Sequence, residues 1–236
     1  MKVLRNLGGL LVLLAVLAGA VYADDVSGRW GVGAFMNYNV PTFGFRNWYS
    51  SASKFGMAFA YVPSQRMSVE VEYHRSHFAH GSLESRTFVW AAGDKKPHTS
   101  PDARSDMKIN SLLANGIIHL GKKIPSFQAS SFSPYLIVGG GFYRYKHNVS
   151  GMLWPAQKDA LVIPLPGYTD QQFALGINAG FGVEAFIMNN VAVDLRGRYN
   201  FVVGQLRSME NWGLKETFPL MLFDMGAGLK FYFGKK

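Results

Sequence analysis

The stretch DMGAGLKFYFGKK, residues 224–236, decides the reading of the fold. Met225, Ala227, Leu229, Phe231 and Phe233 take every second position, with Gly226, Gly228, Lys230 and Tyr232 between them. A period of two puts the first set on one face of a β-strand and the second on the other. One face is apolar, and the other combines glycines with a charge. A solvated sheet face favours long polar side chains and seldom uses glycine, which weakens strands. The glycine face therefore suits a crowded interior, where small residues make room.

The same alternation recurs upstream. RWGVGAFMNYNV (29–40) sets Trp30, Val32, Ala34, Met36 and Tyr38 on one side. SKFGMAFAYV (53–62) sets Phe55, Met57, Phe59 and Tyr61 against Gly56, Ala58 and Ala60. MSVEVEYHRS (67–76) sets Val69, Val71 and Tyr73 against Ser68, Glu70, Glu72 and His74. MKINSLLANGIIHLG (107–121) is strand-like with two mixed faces, which leaves its register open. SPYLIVGGGFYRYK (133–146) carries Tyr135, Tyr143 and Tyr145 in phase. QQFALGINAGFGVEAF (171–186) opposes Leu175, Ile177, Ala179, Phe181 and Val183 to Asn178, Gly180, Gly182 and Glu184. VAVDLRGRYNFVV (191–203) opposes Val193, Leu195, Tyr199 and Phe201 to Asp194, Arg196, Arg198 and Asn200. With residues 224–233 this makes eight strands, and no segment after the N-terminal region shows a helical period.

Connections after strands one, three, five and seven are long, from about Asn39 to Ser53, Phe78 to Ser105, His147 to Asp170 and Gly204 to Glu216. Those after strands two and six are tight (63–66 and 188–190), and the one after strand four (121–133) is moderate. An up-and-down meander collects the long loops at one end and the turns at the other, the habit of transmembrane barrels. The predicted fold is all-β, an eight-stranded antiparallel up-and-down transmembrane β-barrel. A sheet edge in hydrocarbon would leave unpaired backbone groups, so strand one is expected to pair with strand eight.

Composition agrees with export. Lys2 and Arg5 precede the apolar run LGGLLVLLAVLAGA, and VYA supplies a cleavage signature, so residues 1–23 read as a signal peptide and 24–236 as one barrel domain. There is no cysteine, which excludes disulfides and lipid attachment through an N-terminal Cys. The formal net charge is +9, and removing Lys2 and Arg5 lowers it by two. In an exported chain, a basic balance points to anionic lipid and lipopolysaccharide, and no nucleic-acid partner is expected.

Eight apolar faces with no helix to cover them must point into a core or into lipid. The opposite faces carry Glu70, Glu72, Glu184, Asp194, Arg196, Arg198, Asp224 and Lys230. In a narrow eight-stranded lumen, filled by side chains, such groups can neutralise one another. A lumen network is expected in which Glu184 and Asp194 meet Arg196, Arg198 or Lys230. Tyr38, Tyr61, Tyr73, Tyr135, Tyr143, Tyr145, Tyr199 and Phe233 fall near strand ends, where aromatic rings favour the headgroup level. Simple cross-strand packing is the alternative for these rings.

SPYLIVGGGFYRYK, NAGFGVEAFIMNNVAVDLRGRY (178–199) and GAGLKFYF (226–233) together resemble the small outer-membrane β-barrel proteins of Gram-negative bacteria, the group with outer membrane protein A barrels and opacity-type proteins. The resemblance covers roughly Gly28 to Phe233. It implies insertion by the outer-membrane assembly machinery, with a terminal aromatic that aids insertion. Phe233 resembles that residue, although Gly-Lys-Lys follows it.

Other chemistries stand or fall on their residues. His74, His77 and His80 stand three apart, a helical rather than strand spacing for metal ligands. Glu72, His74 and Ser76 share one face and could form a base, nucleophile and carboxylate set, as in barrel lipid A deacylases, but that face is expected to be luminal. Gly28 and Trp30 resemble the Gly-x-Trp of lipocalins, which are water-soluble eight-stranded barrels with a late helix. No cofactor or metal motif is found. The expected role is structural or interactive, not enzymatic, through four surface loops that could meet a host or surface ligand. Trp90, Trp154 and Leu161 to Leu165 either contact a partner or pack over the barrel mouth.

Overall fold

The computed structural model describes residues 27–64, 66–89, 95–120, 131–153, 165–167, 169–188, 190–206 and 217–234. The expected signal peptide (1–23), Trp90, Trp154 and residues 161–164 lie outside them. Eight strands form a closed barrel: β1 (Trp30–Thr42), β2 (Ala52–Ser64), β3 (Met67–Phe78), β4 (Arg104–His119), β5 (Ser131–Ser150), β6 (Thr169–Met188), β7 (Val191–Val202) and β8 (Leu220–Phe233). Each pairs antiparallel with its neighbour in sequence. Strand β8 returns to β1, from Trp30 opposite Phe233 to Thr42 opposite Met221. Closure satisfies the backbone of every strand and abolishes the edge.

The pleat sorts the side chains. On β3, Glu70, Glu72 and His74 are buried while Val69, Val71 and Tyr73 are exposed. On β8, Asp224 and Lys230 are buried while Met225 and Leu229 are exposed. The register of β4 is now fixed. Its inward set mixes Met107, Ile109, Leu113 and Ile117 with Ser111, Asn115 and His119, which is why neither face was uniformly apolar in sequence. Large apolar side chains cover the outside of every strand, including Met57 at 65%, Ile177 at 66% and Phe181 at 67% exposure. That much apolar surface in water would be a severe liability, whereas in hydrocarbon it is the natural arrangement. It is also the reverse of a lipocalin, whose apolar residues face a cavity.

One set of residues falls on the opposite side from the expectation. Tyr135, Tyr143 and Tyr145 do not face the headgroup region. They are 1%, 2% and 1% exposed and point inward. The cause is local. The other phase of β5 carries Leu136, Val138 and Phe142, which claim the lipid side. Glycines on the neighbouring β6 and just past the end of β7 leave room for the rings. A Cβ at Gly182 would fall on the Tyr135 ring, one at Gly176 would lie 2.6 Å from Tyr143 Cε2, and one at Gly204 would lie 2.9 Å from Tyr145 Cε1.

At the long-loop end the first connection is shorter than expected, because β1 runs to Thr42 and β2 starts at Ala52. It holds a helical turn, α1 (Phe43–Arg46), that turns inward. The second long connection contains a 3-10 turn (Leu83–Ser85) and a two-stranded ribbon (Phe88–Val89 with Pro97–His98). The third contains a ribbon of Met152–Leu153 with Leu165–Pro166.

Candidate functional site

The lumen is filled in layers. Near the tight-turn end, Val62, Phe186, Ala192 and Tyr232 form a small apolar floor. Next comes the charge network. Lys230 Nζ makes ion pairs with Glu70 and Glu184, and lies 2.8 Å from Asp194 Oδ2. Arg196 bonds Asp194, reaches Glu70 Oε2 at 3.2 Å and Glu72 Oε1 at 2.7 Å. Arg198 Nη1 donates to Glu72 Oε2 at 2.7 Å, and its Nε faces Asp224 Oδ1 at 3.4 Å. All eight expected charged residues point inward and are at most 4% exposed. Glu184 meets Lys230 alone among the three expected cations, with Tyr232 Oη donating to its carboxylate at 3.0 Å.

Sequence reasoning missed several members. Lys54 donates to Asp224 Oδ2 at 2.6 Å. Its signal was present, since it shares the phase of Gly56, Ala58 and Ala60. Asn37 and Asn200 donate to Asp224 at 3.0 and 2.8 Å. Tyr135 Oη donates to Asp194 Oδ1 at 2.6 Å, so a ring assigned to the membrane surface belongs to the network. Tyr143 Oη donates to Asn200 Oδ1 at 3.1 Å, and Tyr145 Oη to Gln172 Oε1 at 3.0 Å. Each buried charge thus has partners, the condition for keeping it out of water.

Two chemical options meet geometric obstacles. Glu70, Glu184 and Asp194 offer oxygens within 4.8 Å of one another, a grouping that could hold a metal ion. The Lys230 ammonium already makes an ion pair with all three, so it fills the role of the cation. Glu72 Oε2 and His74 Nε2 are 2.5 Å apart, and Ser76 lies on the same strand face. All three are buried in the lumen, walled from lipid by the barrel. A lipid substrate has no approach to them there.

Above the network an apolar plug closes the long-loop end. Phe45, Trp48 and Tyr49 from the first connection pack with Phe78, Leu83, Met107, Tyr145 and Leu220. Trp48 Nε1 donates to Thr217 Oγ1 at 2.8 Å, and the Arg86 guanidinium lies 4.9 Å from the Trp48 ring centroid. Sequence reasoning looked for a cap in later loops and passed over FGFRNWYS (43–50), whose aromatic density outside any strand was the available signal.

The expected interface aromatics that do face outward form two groups. Trp30, Tyr61 and Phe233 stand side by side across β8, β1 and β2 near the tight-turn end, with Trp30 and Tyr61 ring centroids 4.5 Å apart. Trp30 was missed there because only strand pairing reveals its neighbours. Tyr38, Tyr73 and Tyr199 lie toward the long loops. Their hydroxyls pair with Ser51 Oγ at 2.6 Å, Asn110 Oδ1 at 3.0 Å and Thr42 Oγ1 at 2.8 Å.

Closed strands with an apolar outside and a paired, charged inside are the construction of a small transmembrane β-barrel. One solved structure shares that fold, and two others align with the chain. A major outer membrane protein from Thermus thermophilus aligns over 86% of this chain and 99% of its own, at 8% identity and a TM-score of 0.52. Neisserial surface protein A aligns over 86% and 97%, at 18% identity and a TM-score of 0.48. Ail, the attachment invasion locus protein of Yersinia pestis, aligns over 88% and 99%, at 12% identity and a TM-score of 0.47. At these identities the likeness is one of fold. No protein-family model matches the chain, and no curated protein matches it.

Proposed function

We propose that the protein is an integral outer-membrane barrel that anchors four extracellular loops as an interaction surface, without conducting solutes or catalysing a reaction. The observation that carries this reading is the filled lumen inside an apolar shell. Arg198, Asp224, Glu70 and Glu72 are 0% exposed at its centre, and Phe45 and Leu83 close the long-loop end at 0% and 1%. Eight strands leave little lumen, and here side chains occupy it. Interaction is then left to the loops, which carry recognition on rigid scaffolds. Phe233 supports delivery by the outer-membrane assembly machinery, since it ends β8 facing outward beside Trp30.

Heat-modifiable migration tests the reading. The mature chain folded in detergent should run faster unboiled than boiled on a gel, and should precipitate when detergent is withdrawn. A processed chain that is monomeric and soluble in plain buffer would refute it. Protease added to intact cells should cleave within the long connections only, and cleavage at the tight turns would reverse the proposed orientation.

A further inference from the structure

Outward-facing charges are not spread around the barrel. Among the described strand residues they occur only on β3, β4 and β5, toward the long loops: Arg75, Arg104, Asp106, Lys108, Arg144 and Lys146, with His77 beside them. The strand pairing arranges His77, Lys108, Lys146, Arg75 and Arg144 in two rows, with Asp106 opposite Asn148 and Arg104 opposite Ser150 above them. His77 stands opposite Lys108, and Lys108 opposite Lys146. One step lower, Arg75 stands opposite Asn110, and Asn110 opposite Arg144. The next outward row down is apolar: Tyr73, Leu112, Phe142 and Leu175. Phe55 and Phe173 flank the lower row on β2 and β6.

Like charges directly opposite one another destabilise a sheet. Lys108 and Lys146 nevertheless face each other, and no carboxylate among the described residues forms an ion pair with Arg75, Lys108, Arg144 or Lys146. The nearby carboxylate, Asp106, accepts two hydrogen bonds from Asn148 Nδ2 at 2.8 and 2.7 Å, and lies 3.9 Å from His77 Nε2. The patch therefore has an unmet demand for anionic charge at the upper border of the lipid-facing band. It spans three strands, about 10 Å at ~4.8 Å per strand, which is wider than one phosphate. Arginine forks and lysine ammoniums are the side chains that bind phosphate oxygens.

We propose that this patch is a binding site for a phosphorylated glycolipid of the leaflet on the long-loop side, of the lipopolysaccharide type. Its phosphates sit on Arg75, Lys108, Arg144 and Lys146, and its acyl chains lie along Tyr73, Leu112 and Phe142. The proposal rests on the membrane-barrel reading above and adds a specific side of the barrel and a specific headgroup chemistry.

The test is a lipid titration of the folded protein in non-ionic detergent, read by native mass spectrometry. The probes are diphosphoryl lipid A, the same lipid with its phosphates removed, phosphatidylglycerol and inorganic phosphate. Diphosphoryl lipid A should bind the wild type as a single retained molecule. The pair Lys108→Gln with Lys146→Gln should weaken it roughly 25-fold, about fivefold per cation removed. The pair Lys108→Arg with Lys146→Arg should retain it. Unchanged binding in the Gln pair, equal retention of phosphatidylglycerol, or displacement by millimolar inorganic phosphate would each overturn the proposal. Heat-modifiable migration of both variants separates this result from a folding defect. A wild type lacking that behaviour would instead sink the membrane reading and the site with it.

Discussion

Arg196→Ala probes the lumen most directly. The guanidinium sits among three carboxylates: Glu70 at 3.2 Å, Glu72 at 2.7 Å and Asp194 in a direct pair. The lumen holds the carboxylates Glu70, Glu72, Glu184, Asp194 and Asp224 against the cations Lys54, Arg196, Arg198 and Lys230, with Arg29 also buried at the start of β1. Truncation strips Glu70, Glu72 and Asp194 of a shared partner, in a site where the side chains are 0–1% exposed. Breaking a buried pair by removing one partner costs about 3–5 kcal/mol. For a domain of this size each kcal/mol moves the midpoint by about 2–4 °C, so the loss should be roughly 10 °C. The assay is the midpoint of heat-modifiable migration in detergent. Arg196→Ala combined with Asp194→Asn removes one orphaned charge along with the cation and should recover part of the loss. A shift under about 2 °C in Arg196→Ala would mean that water already screens these groups and that the lumen is not dry, refuting the packed-interior argument.

Two further outcomes follow from the register. Gly182→Ala places a methyl on the Tyr135 ring and 2.7 Å from the Leu195 carbonyl oxygen, and should cost about 1–3 kcal/mol in urea unfolding; Tyr135→Leu in the same chain should not restore stability, because the carbonyl contact remains and the bond to Asp194 is lost. Leu195→Arg puts a charge outward in the middle of β7 and should destabilise the folded barrel in bilayers by about 2–4 kcal/mol. The same change at Val203, beyond the end of β7, should cost about 0–1 kcal/mol, and equal costs at both sites would argue against a hydrocarbon slab around β7.

Much of the barrel was legible because burial has a period of two and most strands keep it. On β2 and β8 the glycine and charge positions identify the inside without any tertiary knowledge. The reading faltered where packing overrides chemistry. On β4 both faces are mixed, because its upper half lines the apolar plug and its lower half the polar network. On β5 the tyrosines were judged by their liking for interfaces. Their side was decided by the apolar opposite phase of β5 and by room at glycines on β6 and just past β7, which only the closed barrel brings alongside. The plug itself lay in a short connection, and nothing in Phe45 or Trp48 alone says that a loop folds inward.

The network also bears on how such a sheet reaches its final state. Lys230 and Glu70 are 160 positions apart in the chain, and Lys54 and Asp224 are 170 apart. Neither couple can meet until the last hairpin swings round to join the first. A half-rolled intermediate would therefore present naked ammonium and carboxylate groups to oil. Entry into hydrocarbon is consequently favourable only after the seam has zipped shut, so the interior charges penalise any sheet that reaches the oil still open.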